Sequence, residues 1–265
     1  MGVPFGTLIA NIVFLVCANS MPADDLDAWG WRIPFLISAV LVYIGYIMRS
    51  NIDETPEFEA IRSRTAQVKL PFAELVRNHW REVILGAVVT MSGGVAFDLI
   101  ITFGLTYGTQ TLGFSRSTML TFAMVACALC AILVPIFGKL SDVIGPKRLL
   151  ALGIVSEGAF AFPMFWLMES KSLLLAMTGF LLMAVAFAAN YAPNATYLAR
   201  LSKSSVRYSG LSVTCMLAGL ISSAMSPFVT TALLKITGSG SSVAWYMIFC
   251  SVLSLVALFS REKAP

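Results

Sequence analysis

The chain has 265 residues, of which 58% are hydrophobic and only 12% are charged, and this composition lies well outside the balance of an ordinary soluble domain. The net charge of +4 requires neither a nucleic acid nor an acidic substrate, because the distribution of the basic residues is explained by membrane topology. The composition therefore predicts an integral membrane protein.

Eight apolar runs follow one another along the chain, each near the length of about 20 residues that a helix needs to cross a bilayer. The runs are continuously apolar, whereas the strands of a membrane barrel would alternate in character. Trp29 and Trp31, just before the short second run, are typical of anchors at the membrane interface. The sequence therefore predicts an all-α integral membrane fold with eight transmembrane helices. The predicted spans are 3–20, 33–48, 83–107, 119–137, 149–168, 173–197, 211–234 and 243–259.

The lysines and arginines divide unequally between alternate loops, and cytoplasmic loops are the ones that retain positive charge. One set of loops holds 14 of the 18 basic residues, and the other set holds the remaining four. The larger set is Arg49, Arg62, Arg64, Lys69, Arg77, Arg81, Lys139, Lys147, Arg148, Arg200, Lys203, Arg207, Arg261 and Lys263. This asymmetry predicts that the larger set and both chain ends lie in the cytoplasm.

The longest polar segment, residues 50–82, separates two of the predicted helices from the other six. We interpret it as a cytoplasmic interdomain linker between residues 1–49 and a six-helix domain formed by residues 83–265. An amphipathic helix on the membrane surface is the alternative interpretation, and the two are compatible.

Four motifs carry a resemblance to a known family. Residues 138–148 read GKLSDVIGPKR and resemble the cytoplasmic loop motif of the major facilitator superfamily. Residues 29–35 (WGWRIPF), 54–58 (ETPEF) and 206–210 (VRYSG) resemble the metabolite:proton symporters, the group of shikimate, 2-oxoglutarate and proline/betaine permeases. Those permeases have twelve helices. The resemblance implies that this chain corresponds to helices 5–12 and lacks the first four.

The loop motif has a physical interpretation of its own. Gly138 and Gly145 allow a tight turn and close backbone approach, and Asp142 can accept hydrogen bonds from the free amides of a helix amino end. Lys147 and Arg148 would hold the turn in the cytoplasm. An ordinary helix cap with flanking charges is the alternative.

The resemblance adds a function for this turn. It implies that Asp142 belongs to a latch, whose partner would be the segment beginning near Gly2, and that the latch joins the two halves of a transporter in one access state. The motif departs from the family pattern at Val143, where Arg or Lys is usual, and at Pro146, where Arg is usual.

Two acidic residues lie inside apolar runs, where charge is costly and usually faces a cavity or a partner. Asp98 follows Gly93 and Gly94 in the third run and is a candidate substrate or proton site; the alternative is a structural acid bonded to a nearby Ser or Thr. Glu157, in the fifth run, is a second candidate, again with a structural role as the alternative.

A polar cluster in the sixth run, around Pro193, is the third candidate. Proline frees a backbone carbonyl and breaks a helix locally, and the amides and phenol beside it can bind a small polar solute. The candidate ligands are Asn190, Tyr191 and Asn194. A proline kink whose polar groups satisfy each other is the alternative.

An enzymatic function is disfavoured by the residue types present. The sequence has a single histidine, His79, which lies in the linker and cannot form a histidine-based catalytic or metal site by itself. Cys127 and Cys130 have redox or zinc spacing but lie inside an apolar run with no second pair nearby. We expect no metal and no cofactor.

With these features, the resemblance implies a secondary active transporter, a proton symporter of a small polar metabolite such as an organic acid or zwitterion. The resemblance implies the inner membrane of a bacterium. Two alternatives stay open: a non-transporting remnant of a disrupted permease gene, and a membrane subunit that pairs with a separate amino-terminal half.

Overall fold

The structure is a computed structural model that describes residues 2–22, 25–50, 80–201 and 207–260. The chain divides into two compact units, Gly6–Leu70 and Pro71–Pro265 with Met1–Phe5. Most of the predicted linker, including His79, lies outside the described residues, so the domain boundaries stay a prediction.

The smaller unit contains most of α1 (Gly2–Ser20), a π-helical turn at Leu26–Gly30 and α2 (Arg32–Ser50). The Arg32 guanidinium lies 4.4 Å from the centre of the Trp31 ring, and the Trp31 ring meets Phe35 edge-on. Trp29 and Trp31 are exposed, as residues at a membrane interface would be.

The larger unit is a bundle of helices, two of them interrupted. A π-helical turn at Leu99–Phe103 joins α3 (Trp80–Asp98) to α4 (Gly104–Gln110), and a second, at Leu220–Ala224, lies between α8 (Arg207–Gly219) and α9 (Ser226–Thr237). The remaining helices are α5 (Arg116–Ile144), α6 (Pro146–Glu169), α7 (Leu173–Leu201) and α10 (Gly240–Ser260).

Seven helices within the described residues are long and apolar enough to cross a membrane. They match seven of the eight predicted spans; α1 contains a shorter apolar stretch, Phe5–Cys17. The all-α membrane fold is confirmed, and the chain is a multi-pass membrane protein. The seven spans are Ala28–Met48, Trp80–Gln110, Arg116–Ile144, Pro146–Glu169, Leu173–Arg200, Gly210–Thr237 and Gly240–Ser260.

The most extensive helix contact in the larger unit is between α6 and α7. Gly153 of α6 makes it possible, because a Cβ at this position would lie only 2.6 Å from Cα of Asn190 on α7. Small residues let membrane helices approach at the backbone. α10 packs on α6 and α3, and α3 also packs on α8. α3 therefore lies between α7 on one side and α8 and α10 on the other.

The predicted break at Pro193 was wrong. α7 continues through this residue to Leu201, because a membrane helix tolerates proline where neighbouring helices pack around it and the lost hydrogen bond is compensated. The interruptions occur instead at the two π-helical turns, in the third and seventh predicted spans.

Candidate functional site

A cleft of about 460 Å³ lies between α3, α7, α8 and the π-helical turn at Leu220–Ala224. It is largely apolar, with Phe97, Val134 and Phe187 among its walls. The polar members of its lining are Thr90, Asn190, Tyr191, Asn194, Cys215, Ser222 and Ser223. Three of the residues predicted from the sequence, Asn190, Tyr191 and Asn194, therefore lie at one cleft.

The two asparagines lie one turn apart on α7 and face α3. The single hydroxyl hydrogen of Thr90 is shared between Asn194 Oδ1 at 3.2 Å and the carbonyl of Gly86 in its own helix. The Asn190 amide nitrogen donates to Ser92 Oγ at 3.1 Å. These contacts fix both amides against α3.

An aromatic wall forms one side of the cleft. The Phe187 ring lies 5.2 Å from Phe97 and 5.3 Å from Tyr191, the latter pair stacked. Tyr191 is half-buried, and no hydrogen-bond partner of its hydroxyl occurs among the described residues. A phenol of this kind can bond a polar group of a solute.

Glu157 is not part of the cleft surface. It is completely buried on α6, and its Oε2 accepts from the Asn190 amide nitrogen at 2.8 Å. Asn190 is itself fully buried although it belongs to the cleft wall. The predicted candidates Glu157 and Asn190 are therefore in direct contact, with Asn190 on the side of the cleft.

Asp98 lies away from this group. It is 4% exposed at the end of α3, directly before the π-helical turn at Leu99–Phe103, and its Oδ2 accepts from Ser226 Oγ at 2.7 Å. Ser226 begins α9, just after the other π-helical turn. The Asp98–Ser226 bond thus joins the two interrupted spans. A bond between Asp98 and a Ser is the alternative that the sequence offered to a substrate or proton site.

The turn within residues 138–148 is shorter than the sequence predicted. α5 continues through Ile144, so only Gly145, with φ of +90°, is non-helical before α6 begins at Pro146. The residues up to Ile144 make helical backbone hydrogen bonds, so the helix ends only at Gly145. Lys147 Nζ lies 4.9 Å from the ring centre of Phe259, at the end of α10.

Two expected contacts of this motif are not made. A Cβ at Gly138 would meet nothing within 4 Å, so no close backbone approach occurs there within the described residues. Asp142 is exposed on α5, and no side chain caps α6 at Gly145. Asp142 does not accept from the amides of α6 because it is still inside the preceding helix. The structure does not test whether Asp142, Lys147 and Arg148 form the latch, which stays a prediction.

Several cleft residues were missed by the sequence reasoning. Thr90, Phe97 and Phe187 are ordinary residues of apolar runs, and only the packing of α3 on α7 gives them a place at the site. Cys130 is buried, with its thiol 3.4 Å from the carbonyl of Ala184. No group of three or more His, Cys, Asp and Glu side chains that could hold a metal ion occurs in the described part of the chain.

Comparison with known proteins finds three informative relatives. The chain is 29% identical over 270 residues to the inner membrane metabolite transport protein YhjE of Escherichia coli (strain K12), an alignment that covers 99% of this chain and 61% of the relative. It is 26% identical over 262 residues to a putative proline/betaine transporter of Staphylococcus aureus (strain COL), covering 97% of this chain and 56% of the relative. It is 30% identical over 233 residues to a citrate-proton symporter of Klebsiella pneumoniae, covering 88% and 52%.

The chain therefore spans between about half and three fifths of the length of these relatives. The family model described as Major Facilitator Superfamily matches residues 1–227. Its members are transporters rather than enzymes, which agrees with the residue types of the cleft. The match covers most of the sequence, and the chain belongs to the major facilitator superfamily.

Proposed function

We propose that the chain forms part of a secondary transporter that carries a small polar metabolite with protons. The observation that supports this is the cleft between α3, α7 and α8, where two amides and a phenol lie within an otherwise apolar wall. Its volume of about 460 Å³ falls in the range of about 300–1,000 Å³ that is typical of small-molecule sites.

The cleft lining favours a particular class of solute. None of the residues that line it within the described structure is Asp, Glu, Lys or Arg. A net charge placed there would lack a countercharge on this wall, and desolvating an unpaired charge is costly. A zwitterion or a neutral polar metabolite therefore suits this wall better than a polyanion does. Proline and betaine, named for the Staphylococcus relative, are zwitterions.

We assign roles to the predicted candidates on this basis. Tyr191 and Asn194 would bond the solute directly, and Asn190 would position the wall behind it. Asp98 and Glu157 are the two candidate groups for proton coupling, for which the printed name of the Klebsiella relative gives support by analogy. We also propose that the chain lies in a bacterial inner membrane with both ends in the cytoplasm, on the basis of the distribution of Lys and Arg.

Cys215 provides a direct test of the cleft. It is exposed and belongs to the lining, whereas the other four cysteines are buried. The purified chain in lipid nanodiscs would be alkylated with N-ethylmaleimide in the presence of proline, betaine, citrate or buffer alone. We expect a zwitterion to slow the labelling of Cys215 several-fold, and citrate to have no effect.

Uptake into proteoliposomes with an imposed pH gradient is the companion measurement, and an uncoupler that collapses the gradient should abolish accumulation. Cys215→Ser should remove the labelling, which identifies the reactive residue. Labelling that no solute slows, together with no uptake, would refute the proposal. Protection without uptake would indicate binding that requires a further chain for transport.

A further inference from the structure

The carboxyl group of Glu157 is buried behind the cleft among neutral polar side chains. Glu157 Oε2 is bonded by Asn190, but Glu157 Oε1, Asn190 Oδ1 and Ser251 Oγ have no partner. All three side chains are at least 97% buried. Buried polar groups are nearly always paired. Glu157 Oε1 and Asn190 Oδ1 can only accept when the carboxyl is ionised, whereas the Ser251 hydroxyl can also donate.

The elements around Glu157 supply no cation. α3, α7 and α10 present Ser92, Asn190 and Ser251, which are all neutral. Ser251 reaches this level because α10 packs on the residue after Glu157: a Cβ at Gly158 would lie 3.3 Å from Ser251 Cβ.

The titratable groups on the helices that pack against α6 face other partners. Asp98 on α3 bonds Ser226, Cys130 on α5 bonds a backbone carbonyl, and Tyr191 on α7 stacks on a phenylalanine. Tyr246 and Cys250 on α10 bond each other. The charged residues of α5 lie at its two ends, at 116, 139 and 142. No Lys, Arg or second acid among the described residues pairs with Glu157. A carboxylate there would be an uncompensated buried charge.

We propose that Glu157 is a proton-binding site and that Asn190 links its protonation to the cleft wall. This inference rests on the proposed transport function and names the group that would carry the proton. A proton that adds to the carboxylate of Glu157 forms a carboxylic acid. The buried group is then neutral and needs no countercharge, and the new O–H is the only covalent bond that changes.

The link to the cleft follows from the position of Asn190. Its amide nitrogen donates both to Glu157 and to Ser92, so both of its hydrogens are engaged. Asn190 and Gly93 both line the cleft and are in contact, because a Cβ at Gly93 would lie 3.3 Å from Nδ2 of Asn190. Loss of the charge on Glu157 therefore weakens a hydrogen bond made by an amide that forms the cleft wall.

Infrared spectroscopy of the purified chain in lipid nanodiscs tests this inference without any solute. Exposed carboxyls are ionised at pH 7, since their ordinary pKa values are about 4. The carbonyl stretch of a protonated carboxylic acid at pH 7 therefore reports buried acids. We expect this band in the unmodified chain, in Asp98→Asn and in the exposed control Asp142→Asn, and we expect its loss in Glu157→Gln.

Asn190→Ala tests the link. The variant removes the amide that donates to the side-chain carboxyl oxygen of Glu157. We therefore expect the carboxylic acid band to move to higher frequency. An unchanged frequency would refute the link to Asn190. If Glu157→Gln does not fold, the Asp98→Asn chain decides, because loss of the band there would assign it to Asp98.

No band at pH 7, or a band that persists in Glu157→Gln, would overturn the proton site. Because the readout needs no solute, failure of solute binding or uptake leaves this result intact. Conversely, pH-driven uptake by a chain without the band would refute only the role of Glu157.

Discussion

The two buried carboxyl groups of this protein are held in different ways. Asp98 accepts from a hydroxyl, Ser226 Oγ at 2.7 Å, whereas Glu157 accepts from an amide nitrogen, Asn190 Nδ2 at 2.8 Å. A hydroxyl can turn to donate or accept, but an amide nitrogen can only donate. A neutral Asp98 could therefore donate to Ser226 as well as accept from it, whereas a neutral Glu157 could only go on accepting from Asn190, through its carbonyl oxygen.

The surroundings match this chemical difference. The Asp98–Ser226 pair joins two helices next to their π-helical turns, where such turns often mark functional positions. The Glu157–Asn190 pair lies where α6 and α7 pack most closely, at Gly153. The comparison indicates an adaptable contact between interrupted helices and a tightly packed contact between continuous ones.

The largest effect on stability should come from Gly153→Ala, which introduces a methyl group into the tightly packed contact between α6 and α7. The new methyl would meet backbone atoms of Asn190 and the carbonyl carbon of Ala189, which cannot move aside as a side chain can. Overpacking costs about 1–3 kcal/mol, and we expect the upper end of this range. Thermal unfolding in detergent, followed by tryptophan fluorescence, would measure it.

Gly138→Ala is the matched control for that substitution. Gly138 also lies inside a helix, but a Cβ there would meet no atom within 4 Å. Replacing a helix glycine by alanine stabilises by about 0.5–1 kcal/mol. Equal unfolding temperatures for the two variants would contradict the close approach of α6 and α7.

The second prediction separates the shape of Glu157 from its hydrogen bonding. Glu157→Leu leaves a hydrogen of Asn190 without an acceptor, and an unsatisfied buried donor costs about 1–3 kcal/mol. Glu157→Gln keeps an acceptor oxygen for Asn190 and carries no buried charge. Chemical denaturation should therefore rank Gln at or above the unmodified chain, and Leu below it; the reverse order would contradict the role of Glu157 as the acceptor of Asn190.

The third prediction concerns the adaptable pair. Ser226→Ala, Asp98→Ala and the double variant form a double-mutant cycle for the bond between them. We expect a coupling energy of about 0.5–1.5 kcal/mol, the usual net value of a hydrogen bond. The free energy of unfolding of all four chains would give it, and a coupling near zero would show that the two π-helical turns are joined by packing alone.

Much of the bundle could be predicted from the sequence, because a bilayer imposes the same length and polarity on every span. The ends of the helices were harder to predict. The apolar run at 119–137 underestimates α5, which continues to Ile144, since a helix can leave the membrane without a change of conformation.

The two π-helical turns could not be predicted, because nothing in residues 99–103 or 220–224 departs from an ordinary apolar helix. Proline was a misleading signal at Pro193, where packing keeps α7 continuous.

The candidate site was predictable in its residue types but not in its connections. Polar residues inside apolar runs identified Asn190, Asn194, Glu157 and Asp98. The sequence could not show that Glu157 contacts Asn190 while Asp98 contacts a serine 128 residues away. Such pairings depend on which helix faces are opposed, and apolar runs carry little periodicity to indicate this.

The smallest effect on stability should come from Tyr191→Phe, and its size decides which cleft groups are available to a solute. The amides of Asn190 and Asn194 already bond α3, whereas the described residues offer the Tyr191 hydroxyl no partner. Removing the hydroxyl while keeping the ring on Phe187 should leave the unfolding free energy within about 0.5 kcal/mol.

A group that contributes nothing to the fold is free to contribute to binding. We therefore expect Tyr191→Phe to weaken the protection of Cys215 by a zwitterion several-fold at unchanged stability, whereas Thr90→Val should lower stability by about 0.5–1.5 kcal/mol through the loss of its bond to Asn194. A destabilised Tyr191→Phe chain with full protection would remove Tyr191 from the solute site, since the phenol would then support the bundle and Asn194 would be left to bond the solute.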